Sequence, residues 1–433
     1  MGIDPERTNY DVVVIGGGIA GQESALNLAD SGQRVLLVEK DVSIGGRMIH
    51  LSKVFPTLDC AACITTPKVS ETARHPNITI STDSEIEGLE RRPDGTFRGV
   101  LVRHPRYVVE SACTGCQDCE EACPVIVEDQ YQYGFVGRKA AYVPFSIANP
   151  RIATIDIENC ILCGACEKAC PADAIDFTQT TERIEVTAGT VVIATGFRLF
   201  DPALIERYGA GGFENVITSM QMERQLVPTR PFNNVLRPGD GKMPDNIAYV
   251  LCAGSRDETV GNPICSQVCC MYSIKQGQLI LGALPMADVT IYYLHIRAFG
   301  KGFEEFYQQS RSMGVEFVKA KIGTIEEKGN GDLILRYEDM REGTVKEAEH
   351  DMVVLSVGIL ANPEAGALFD GGELELDEYG YVKQTDRLRN PARTSIEGVF
   401  VAGTASGPMD IPDSIASAGA AASESLSYLK RKR

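Results

Sequence analysis

Three cysteines in the second half of the sequence lie in one short stretch that suits the ligation of a metal cluster. The stretch reads Cys265-Ser-Gln-Val-Cys269-Cys270, and a fourth cysteine, Cys252, precedes it. Two adjacent cysteines are poorly suited to a disulfide with each other. A bent loop can instead aim both sulfurs at iron. The pattern therefore favours thiolate ligands over a structural disulfide.

Two further runs of cysteines have the most specific spacing in the sequence. They read Cys113-x-x-Cys116-x-x-Cys119-x-x-x-Cys123-Pro124 and Cys160-x-x-Cys163-x-x-Cys166-x-x-x-Cys170-Pro171. Such paired runs are typical of a two-cluster ferredoxin, in which the fourth cysteine of each run ligates the other cluster. Zinc could also take four thiolates, but two complete runs, each closed by proline, favour 4Fe–4S clusters. The predicted ligand sets are Cys113, Cys116, Cys119 and Cys170 for one cluster, and Cys160, Cys163, Cys166 and Cys123 for the other.

A glycine-rich turn near the N-terminus predicts a dinucleotide site. The β-branched run at residues 11–15 predicts a buried parallel strand, a helical pattern follows the turn, and a second predicted strand ends at Glu39. In this context Gly16 permits the tight turn, Gly18 lets the backbone approach a pyrophosphate, and Gly21 lets the helix pack on the strand. Glu39 can accept hydrogen bonds from ribose hydroxyls.

Three later segments favour FAD as the dinucleotide, because they resemble FAD-dependent disulfide oxidoreductases. They are a Gly-Gly pair followed by a basic residue, a strand that leads into a glycine turn, and a strand that returns the chain to the flavin. In that group Asp usually stands at the position of Thr404, where it contacts the ribityl chain. The predicted FAD-binding residues of these segments, with the basic residue after Glu39, are Lys40, Gly46, Arg47, Thr195, Gly196, Gly403 and Thr404.

A Cys-x-x-Cys pair, Cys60 and Cys63, lies between the first predicted α/β unit and the next strands. The two thiols could be redox-active beside the flavin, and so catalytic, or they could ligate metal. They could equally be two buried free thiols that behave as small apolar residues. Two sulfurs alone do not complete a cluster, so all of these interpretations stay open.

A second predicted α/β unit begins near Pro244 and lacks a nicotinamide fingerprint. A nicotinamide-binding strand would continue into Gly-x-Gly-x-x-Gly, whereas this one continues into Cys252 and its neighbours. Lys275 lies on the next predicted helix, whose N-terminus we expect to face the flavin. Its ammonium would stabilise a reduced, anionic flavin; a solvated surface lysine is the alternative. The basic and aromatic stretch at residues 297–307 predicts a cofactor edge, a partner surface or a solvated helix start.

Composition sets limits on the class of protein. The 433 residues are 44% hydrophobic and 23% charged, which is ordinary for a globular chain. A net charge of −17 argues against a nucleic-acid partner. No apolar run reaches the length of about eighteen residues that a membrane span needs, so no membrane insertion is predicted. The N-terminal sequence has no secretion signal and the cysteines have cluster spacing, so we expect a cytoplasmic protein.

Together these features resemble the A subunit of heterodisulfide reductase over nearly the whole chain. The resemblance rests on the Cys252…Cys265-x-x-x-Cys269-Cys270 pattern, the Leu-Asp-Cys60-x-x-Cys63 segment and the inserted ferredoxin runs. It implies a thioredoxin-reductase-like, two-domain α/β flavoprotein, with a Rossmann-type FAD domain, a second α/β unit and an inserted two-cluster ferredoxin domain. It also implies that Cys252, Cys265, Cys269 and Cys270 hold a third 4Fe–4S cluster close to the flavin.

The expected domain boundaries follow from these motifs. The FAD-binding domain is expected in three parts, at residues 1–110, at 179–243 with a linker, and at 361–433. The ferredoxin domain is expected at 111–178, and the second α/β domain, with a cluster in place of a nicotinamide site, at 244–360.

The resemblance implies an oxidoreductase that works as an electron-transfer hub with FAD and three 4Fe–4S clusters. It would exchange two-electron and one-electron steps, with electron bifurcation at the flavin as one option. The expected partners are the other subunits of a heterodisulfide-reductase-like complex and an electron-donating dehydrogenase or hydrogenase, with a homodimer inside the complex. Two alternatives are a stand-alone FAD-dependent disulfide or thiol oxidoreductase that uses Cys60 and Cys63, and a scaffold whose clusters only hold the fold.

Overall fold

The structure is a computed structural model that describes residues 8–369, 371 and 373–432. The strands in these ranges are, in chain order, β1 (Asn9–Ile15), β2 (Val35–Val38), β3 (Ile78–Ser81), β4 (Ser84–Arg91), β5 (Phe97–Arg103), β6 (Ile126–Glu128), β7 (Gly137–Lys139), β8 (Ala141–Tyr142), β9 (Thr154–Ile155), β10 (Glu182–Ile193), β11 (Phe197–Leu199), β12 (Val216–Thr218), β13 (Asn246–Ala253), β14 (Asp288–Tyr293), β15 (Glu316–Glu327), β16 (Leu333–Asp339), β17 (Thr344–His350), β18 (Met352–Val357), β19 (Ile359–Ala361) and β20 (Val399–Val401). The α-helices are α1 (Ile19–Asp30), α2 (Ala61–Arg74), α3 (Asp118–Ala122), α4 (Ala165–Ala169), α5 (Ser219–Leu226), α6 (Cys269–Ala283), α7 (Phe303–Ser312) and α8 (Ile411–Lys432).

The first sheet places the glycine-rich turn at its centre. Its strand order is β3-β2-β1-β10-β5-β4, and β20 also pairs with β10. The strand β1 is parallel to both β2 and β10, so its carboxyl end lies at the sheet edge where open α/β sheets bind ligands. The helices α1 and α8 bury their apolar faces against this sheet. The predicted Rossmann-type arrangement of the N-terminal segment is therefore present.

The apolar–polar alternation of residues 78–110, with a turn signal at residues 92–95, predicts a β-meander, and the antiparallel part of this sheet differs from it. The strand β3 pairs in parallel with β2, because the helix α2 carries the chain across the sheet before β3 begins. Only β4, β5 and the long β10 form antiparallel pairs. The turn expected between β4 and β5 is present, and the Arg92 N–H donates to the Thr96 carbonyl oxygen at 2.8 Å.

The second sheet begins earlier in the chain than the sequence predicts. Its strand order is β12-β18-β13-β14-β15-β16-β17. The motifs assign residues 216–226 to the FAD-binding domain or linker, but β12 pairs in parallel with β18 and α5 packs on α6. That expectation is corrected for these residues. A strand of three residues is too short to show a hydrophobic period, which is why the sequence does not indicate it.

The segment between β5 and β10 folds around a small apolar core of its own. The helices α3 and α4 contact each other, and α3 also contacts β8, which pairs antiparallel with β9; β6 and β7 form a second antiparallel pair. Cys119, Cys123 and Cys166 are buried in this core. No helix in the described ranges combines the length and hydropathy that a membrane-spanning segment requires.

Candidate functional site

A cavity of about 1070 Å³ opens at the carboxyl ends of β1 and β2 and reaches α5 and α6 of the second sheet. It brings most of the predicted FAD-binding residues together. Those that line it are Gly16, Gly18, Glu39, Lys40, Gly46, Arg47, Thr195, Gly196 and Thr404, and Lys275 lines it as well.

The glycines of the turn are required by close backbone packing. A Cβ atom on Gly21 would lie 1.8 Å from the carbonyl oxygen of Gly16. Gly16 itself has φ +106°, and its Cβ would lie 2.2 Å from the carbonyl oxygen of Ala194. Gly21 therefore sets how closely α1 approaches β1, as the fingerprint predicts, and it does not line the cavity. Gly403 is not among the lining residues either, and packs against Ala20.

Glu39 is buried at the end of β2 and is fixed by two backbone donors. Its Oε2 accepts from the Gly17 N–H at 2.6 Å, and its Oε1 accepts from the Asp41 N–H at 2.9 Å. Burial, together with the charge of Asp41, raises the pKa of Glu39 to about 7. Glu39 also lines the cavity, so its carboxyl group can accept a hydrogen bond from a ribose hydroxyl there.

Two buried polar atoms in the cavity wall have no hydrogen-bond partner among the described residues. They are Thr195 Oγ1, beside the glycine turn after β10, and Gln276 Oε1 on α6. Buried polar groups are usually paired, so atoms of this kind mark positions where a bound molecule can supply the partner. With the fingerprint at one end, this donor and acceptor set fits FAD.

Lys275 is in the second turn of α6, and the alternative of a solvated surface lysine is wrong, because the residue is only 1% exposed. Its ammonium forms an ion pair with Glu223 of α5 and donates to the carbonyl oxygen of Lys53 at 2.9 Å. Glu223 also accepts from Ser52, at 2.8 Å from its N–H and 2.6 Å from its hydroxyl, and from the Gln276 amide.

Ser52 and Lys53 follow the Gly46 turn and belong to the first unit, whereas Glu223 and Lys275 belong to the second. The hydrogen bonds of this ion pair therefore join the two units at the cavity wall. Burial raises the pKa of Glu223, but the charge of Lys275 and the hydrogen bonds outweigh burial and hold that pKa below its usual range. Glu223 is therefore an anion with its counter-ion in place.

The helix α6 begins at Cys269 and connects the Cys252 set to the cavity. We use "Cys252 set" for Cys252, Cys265, Cys269 and Cys270. Burial is the main cause that raises the pKa of Cys269, and the charges of the other three thiols of the set raise it further. Burial raises the pKa of Cys270 to about 11. One turn further along α6, Tyr272, Lys275 and Gln276 line the cavity.

The structure gathers the cysteines of one of the two predicted ligand sets around a single cavity. Cys113, Cys116, Cys119 and Cys170 line one small cavity. Burial and the charges of Cys113 and Cys116 raise the pKa of Cys119 to about 12. Burial raises the pKa of Cys166, with Cys160 and Cys123 as the neighbouring thiols.

Backbone donors are aimed at these sulfurs. Cys170 Sγ accepts from the Ala174 N–H at 3.3 Å, and Cys160 Sγ accepts from the Leu162 N–H at 3.4 Å. Such N–H donors tune cluster potentials. In the described ranges no group of three or more His, Cys, Asp or Glu is placed to hold a single metal ion; the ligands of a four-iron cube stand farther apart.

Cys60 and Cys63 lie at the N-terminus of α2, a helix that the sequence does not predict. Cys60 caps the helix, and its sulfur accepts from the Cys63 N–H at 3.3 Å. The hydrogen bond from the Cys63 thiol, more than any other contact, lowers the pKa of Cys60. Cys63 is exposed, so the interpretation as two buried thiols is wrong. The backbone of Cys60 forms an isolated antiparallel β-bridge with that of Lys53, and Lys53 lines the cavity.

The comparison with known protein families gives a direct result. A model of the family described as pyridine nucleotide-disulphide oxidoreductase matches residues 10–423. The chain belongs to this family. Its members are oxidoreductases, so the predicted enzyme class is confirmed.

Curated relatives carry the name that the sequence motifs suggest. The iron-sulfur A subunit of CoB–CoM heterodisulfide reductase from Methanocaldococcus jannaschii is 44% identical over 414 residues, which are 95% of this chain and 63% of the relative. The A subunit of ferredoxin:CoB-CoM heterodisulfide reductase from Methanosarcina mazei is 41% identical over 429 residues, 98% of this chain and 54% of the relative. The resemblance is confirmed, and the chain spans between about half and two thirds of the length of these relatives.

Solved structures confirm the thioredoxin-reductase-like two-domain fold. Thioredoxin reductase from T. acidophilum superposes with a TM-score of 0.55 at 16% identity, over 97% of this chain and 99% of that one. The enzyme from Lactococcus lactis gives a TM-score of 0.56 at 14% identity, over 98% and 99%. These similarities concern the fold alone.

Several residues of the site are not indicated by the sequence. Glu223, Ser52 and Gln276 lie far apart in the chain and meet only in the folded protein. The capping box at Thr218 and Gln221 is a local signal that could have indicated α5, and with it the helix that carries Glu223.

Proposed function

We propose that this chain is an electron-transfer subunit that holds FAD and three 4Fe–4S clusters, in a complex that resembles heterodisulfide reductase. The observation that carries the proposal is the course of α6. Its first turn contains Cys269 and Cys270, and its second turn lines the FAD-type cavity with Lys275 and Gln276. A cluster on the Cys252 set would therefore lie one helical turn from the flavin pocket.

FAD, when bound, supplies the exchange between two-electron and one-electron steps. The residues of this chain would position the cofactor. The turn at Gly16 and Gly18 receives the pyrophosphate, and Glu39 receives the ribose. Lys275 lines the pocket as the partner of Glu223, and its ammonium can offer a further N–H to a group bound there. The dithiol Cys60 and Cys63 does not line the cavity, but the backbone of Cys60 forms a β-bridge with Lys53, which does.

Metal and flavin analysis of anaerobically purified protein tests the proposal. Three clusters predict about twelve irons per FAD. The substitution Cys269→Ser is expected to lower the iron content toward about eight, with the FAD content unchanged. The matched substitution Cys63→Ser is expected to leave the iron content as it is. An iron content near eight in the unsubstituted protein would leave the Cys252 set as free thiols and contradict the third cluster.

The proposed partners are the other subunits of a heterodisulfide-reductase-like complex and an electron-donating dehydrogenase or hydrogenase, with a homodimer in the complex and a cytoplasmic location. The names of the relatives support a complex of several different chains, because each relative is named as one component of a reductase. They do not favour the alternative of a stand-alone disulfide or thiol oxidoreductase.

A further inference from the structure

Asp410 is an acidic residue of the cavity wall at the start of α8. It follows β20 in the chain and lines the cavity together with Thr404 and Ser414. Its side chain is half-buried, whereas the next acid along the chain, Asp413, is exposed and is not among the lining residues. The first turn of α8 therefore presents one carboxylate to the cavity and another to solvent.

The first turn of α8 also fixes the position of Asp410. Its Oδ1 accepts from the Asp413 N–H at 2.9 Å, which is the N-cap hydrogen bond of the helix. Its carbonyl oxygen accepts from the Ser414 N–H at 2.9 Å and from the Ser414 hydroxyl at 2.7 Å. The carboxylate is thus held at the wall with one of its two oxygens already used.

The second oxygen of this carboxylate, Oδ2, remains available as an acceptor. Within the described ranges no donor reaches it, and Asp410 forms no ion pair there. Burial is the main cause that raises the pKa of Asp410. A donor on a bound molecule would replace the solvation that burial removes.

The start of α8 lies beside the start of α1, where the pyrophosphate is received. A Cβ atom on Gly403 would lie 2.6 Å from the Cβ atom of Ala20, in the first turn of α1. The Gly403 N–H donates to the Ser417 hydroxyl of α8 at 3.1 Å, and the Ser24 hydroxyl of α1 donates to a carbonyl oxygen of α8 at 3.4 Å. Asp410 therefore belongs to the part of the cavity next to the pyrophosphate end, and α5 and α6 form the far end.

The chemistry of FAD identifies the group that reaches this position. The ribityl chain joins the pyrophosphate to the flavin ring, so it is the part of the cofactor that passes the start of α8. Its hydroxyl groups are hydrogen-bond donors, which a carboxylate oxygen accepts. A phosphate group in the same place would be repelled by the carboxylate.

We propose that Asp410 is a binding residue for the ribityl chain of FAD and accepts a hydrogen bond from one of its hydroxyl groups. This inference rests on the proposed function, because it requires FAD in the cavity. The contact holds the cofactor between its pyrophosphate and its ring, and it involves no transfer of electrons or protons.

Equilibrium dialysis of the whole, iron-loaded protein against FAD, followed by flavin fluorescence, tests the inference. Asp410→Asn keeps an oxygen that can cap α8 but replaces the other oxygen by an amide that only donates. It is expected to raise the dissociation constant of FAD about tenfold. ADP, which shares the pyrophosphate and adenosine of FAD but has no ribityl chain, is expected to compete as well in the variant as in the unsubstituted protein.

Asp413→Asn is the matched control, because it makes the same change in the same turn of α8 at an exposed residue outside the cavity wall. It is expected to leave the affinity for FAD unchanged. FAD methylated at ring N3 keeps its ribityl hydroxyls and should show the same tenfold loss with Asp410→Asn.

Three results would overturn the contact and leave the proposed function standing. They are an unchanged affinity of Asp410→Asn for FAD, an equal loss of affinity for ADP, and no loss for the N3-methylated cofactor, which would move the contact to the flavin ring. An unsubstituted protein that binds no FAD would overturn the flavin site of the proposed function itself.

Discussion

At the scale of single residues, the ion pair of Lys275 and Glu223 makes the cavity wall sensitive to one substitution. Lys275→Met leaves Glu223 buried without its counter-ion, which is expected to cost about 3–5 kcal/mol of stability. Loss of the cation is also expected to lower the midpoint potential of the bound flavin, since a positive charge favours the reduced, anionic form.

Thermal unfolding and a redox titration of Lys275→Met check the two effects separately. The double variant Lys275→Met, Glu223→Gln is the control, because it removes both charges. It is expected to recover most of the stability and to bring the potential back toward that of the unsubstituted protein, because the lost anion offsets the lost cation. A single variant with unchanged stability and unchanged potential would show that Lys275 has neither role.

The burial of His50 predicts how the stability of the folded protein depends on pH. Its Nδ1 lies 3.3 Å from the carbonyl oxygen of Tyr131 in the inserted segment. Burial, and then the charge of Arg47, lower the pKa of His50 to about 4. The unfolded chain therefore takes up a proton at higher pH than the folded one. The stability that His50 contributes is complete above its ordinary pKa of about 6.5 and is lost as the pH falls toward 4.

Between pH 7 and pH 5 this loss is expected to be about 2 kcal/mol. His50→Asn, which keeps an N–H donor and does not titrate, should lose that much less stability over the same range. Urea unfolding at the two pH values is the measurement, with the exposed His104→Asn as the control. Parallel losses in all three proteins would show that His50 does not act in this way.

At the scale of elements, the sequence is sufficient to predict a motif when that motif is built from a few neighbouring residues. The Gly16 turn lies where the sequence places it, and Cys113, Cys116, Cys119 and Cys170 line one cavity, because turn geometry and cysteine spacing are properties of a few neighbouring residues. The helix α2 escapes prediction because Pro67 lies inside it, and proline normally ends a helix. Whether Cys60 and Cys63 are buried cannot be predicted without that helix.

At the scale of the whole molecule, the sequence predicts the two α/β units and the insert but not how they are joined. Arg224 of α5 is fully buried, donates to the carbonyl oxygen of His50, and stacks over Tyr131 of the inserted segment at 4.3 Å. Three parts of the chain thus meet at one guanidinium. Contacts of this kind join residues that are far apart in sequence, so neither the hydrophobic period nor the spacing of motifs predicts them.

The family is named for a pyridine nucleotide, and the turn after β13 is where the phosphates of such a nucleotide would bind. The structure of this turn therefore predicts whether the protein reacts with NADH or NADPH. In this chain the N–H groups of that turn are already used. The Ser255 N–H donates to the Cys252 carbonyl oxygen at 3.2 Å, and the Arg256 N–H donates to the Ile264 carbonyl oxygen at 2.8 Å. A phosphate cradle needs such N–H groups to be free. There is also no space for a phosphate beside Gly254, because a Cβ atom added to Gly254 would lie 2.1 Å from the Phe200 ring.

We therefore expect neither NADH nor NADPH to reduce the bound flavin rapidly. Stopped-flow absorbance of the loaded protein mixed with either nucleotide should show no fast bleaching, whereas dithionite should bleach the same sample. Phe200→Ala is a useful second sample, because opening space beside Gly254 does not free the N–H groups and should leave the protein unreactive. Fast bleaching by NADH in the unsubstituted protein would mean that this fold receives electron pairs from a nucleotide directly. Its absence is consistent with electrons that arrive through protein partners.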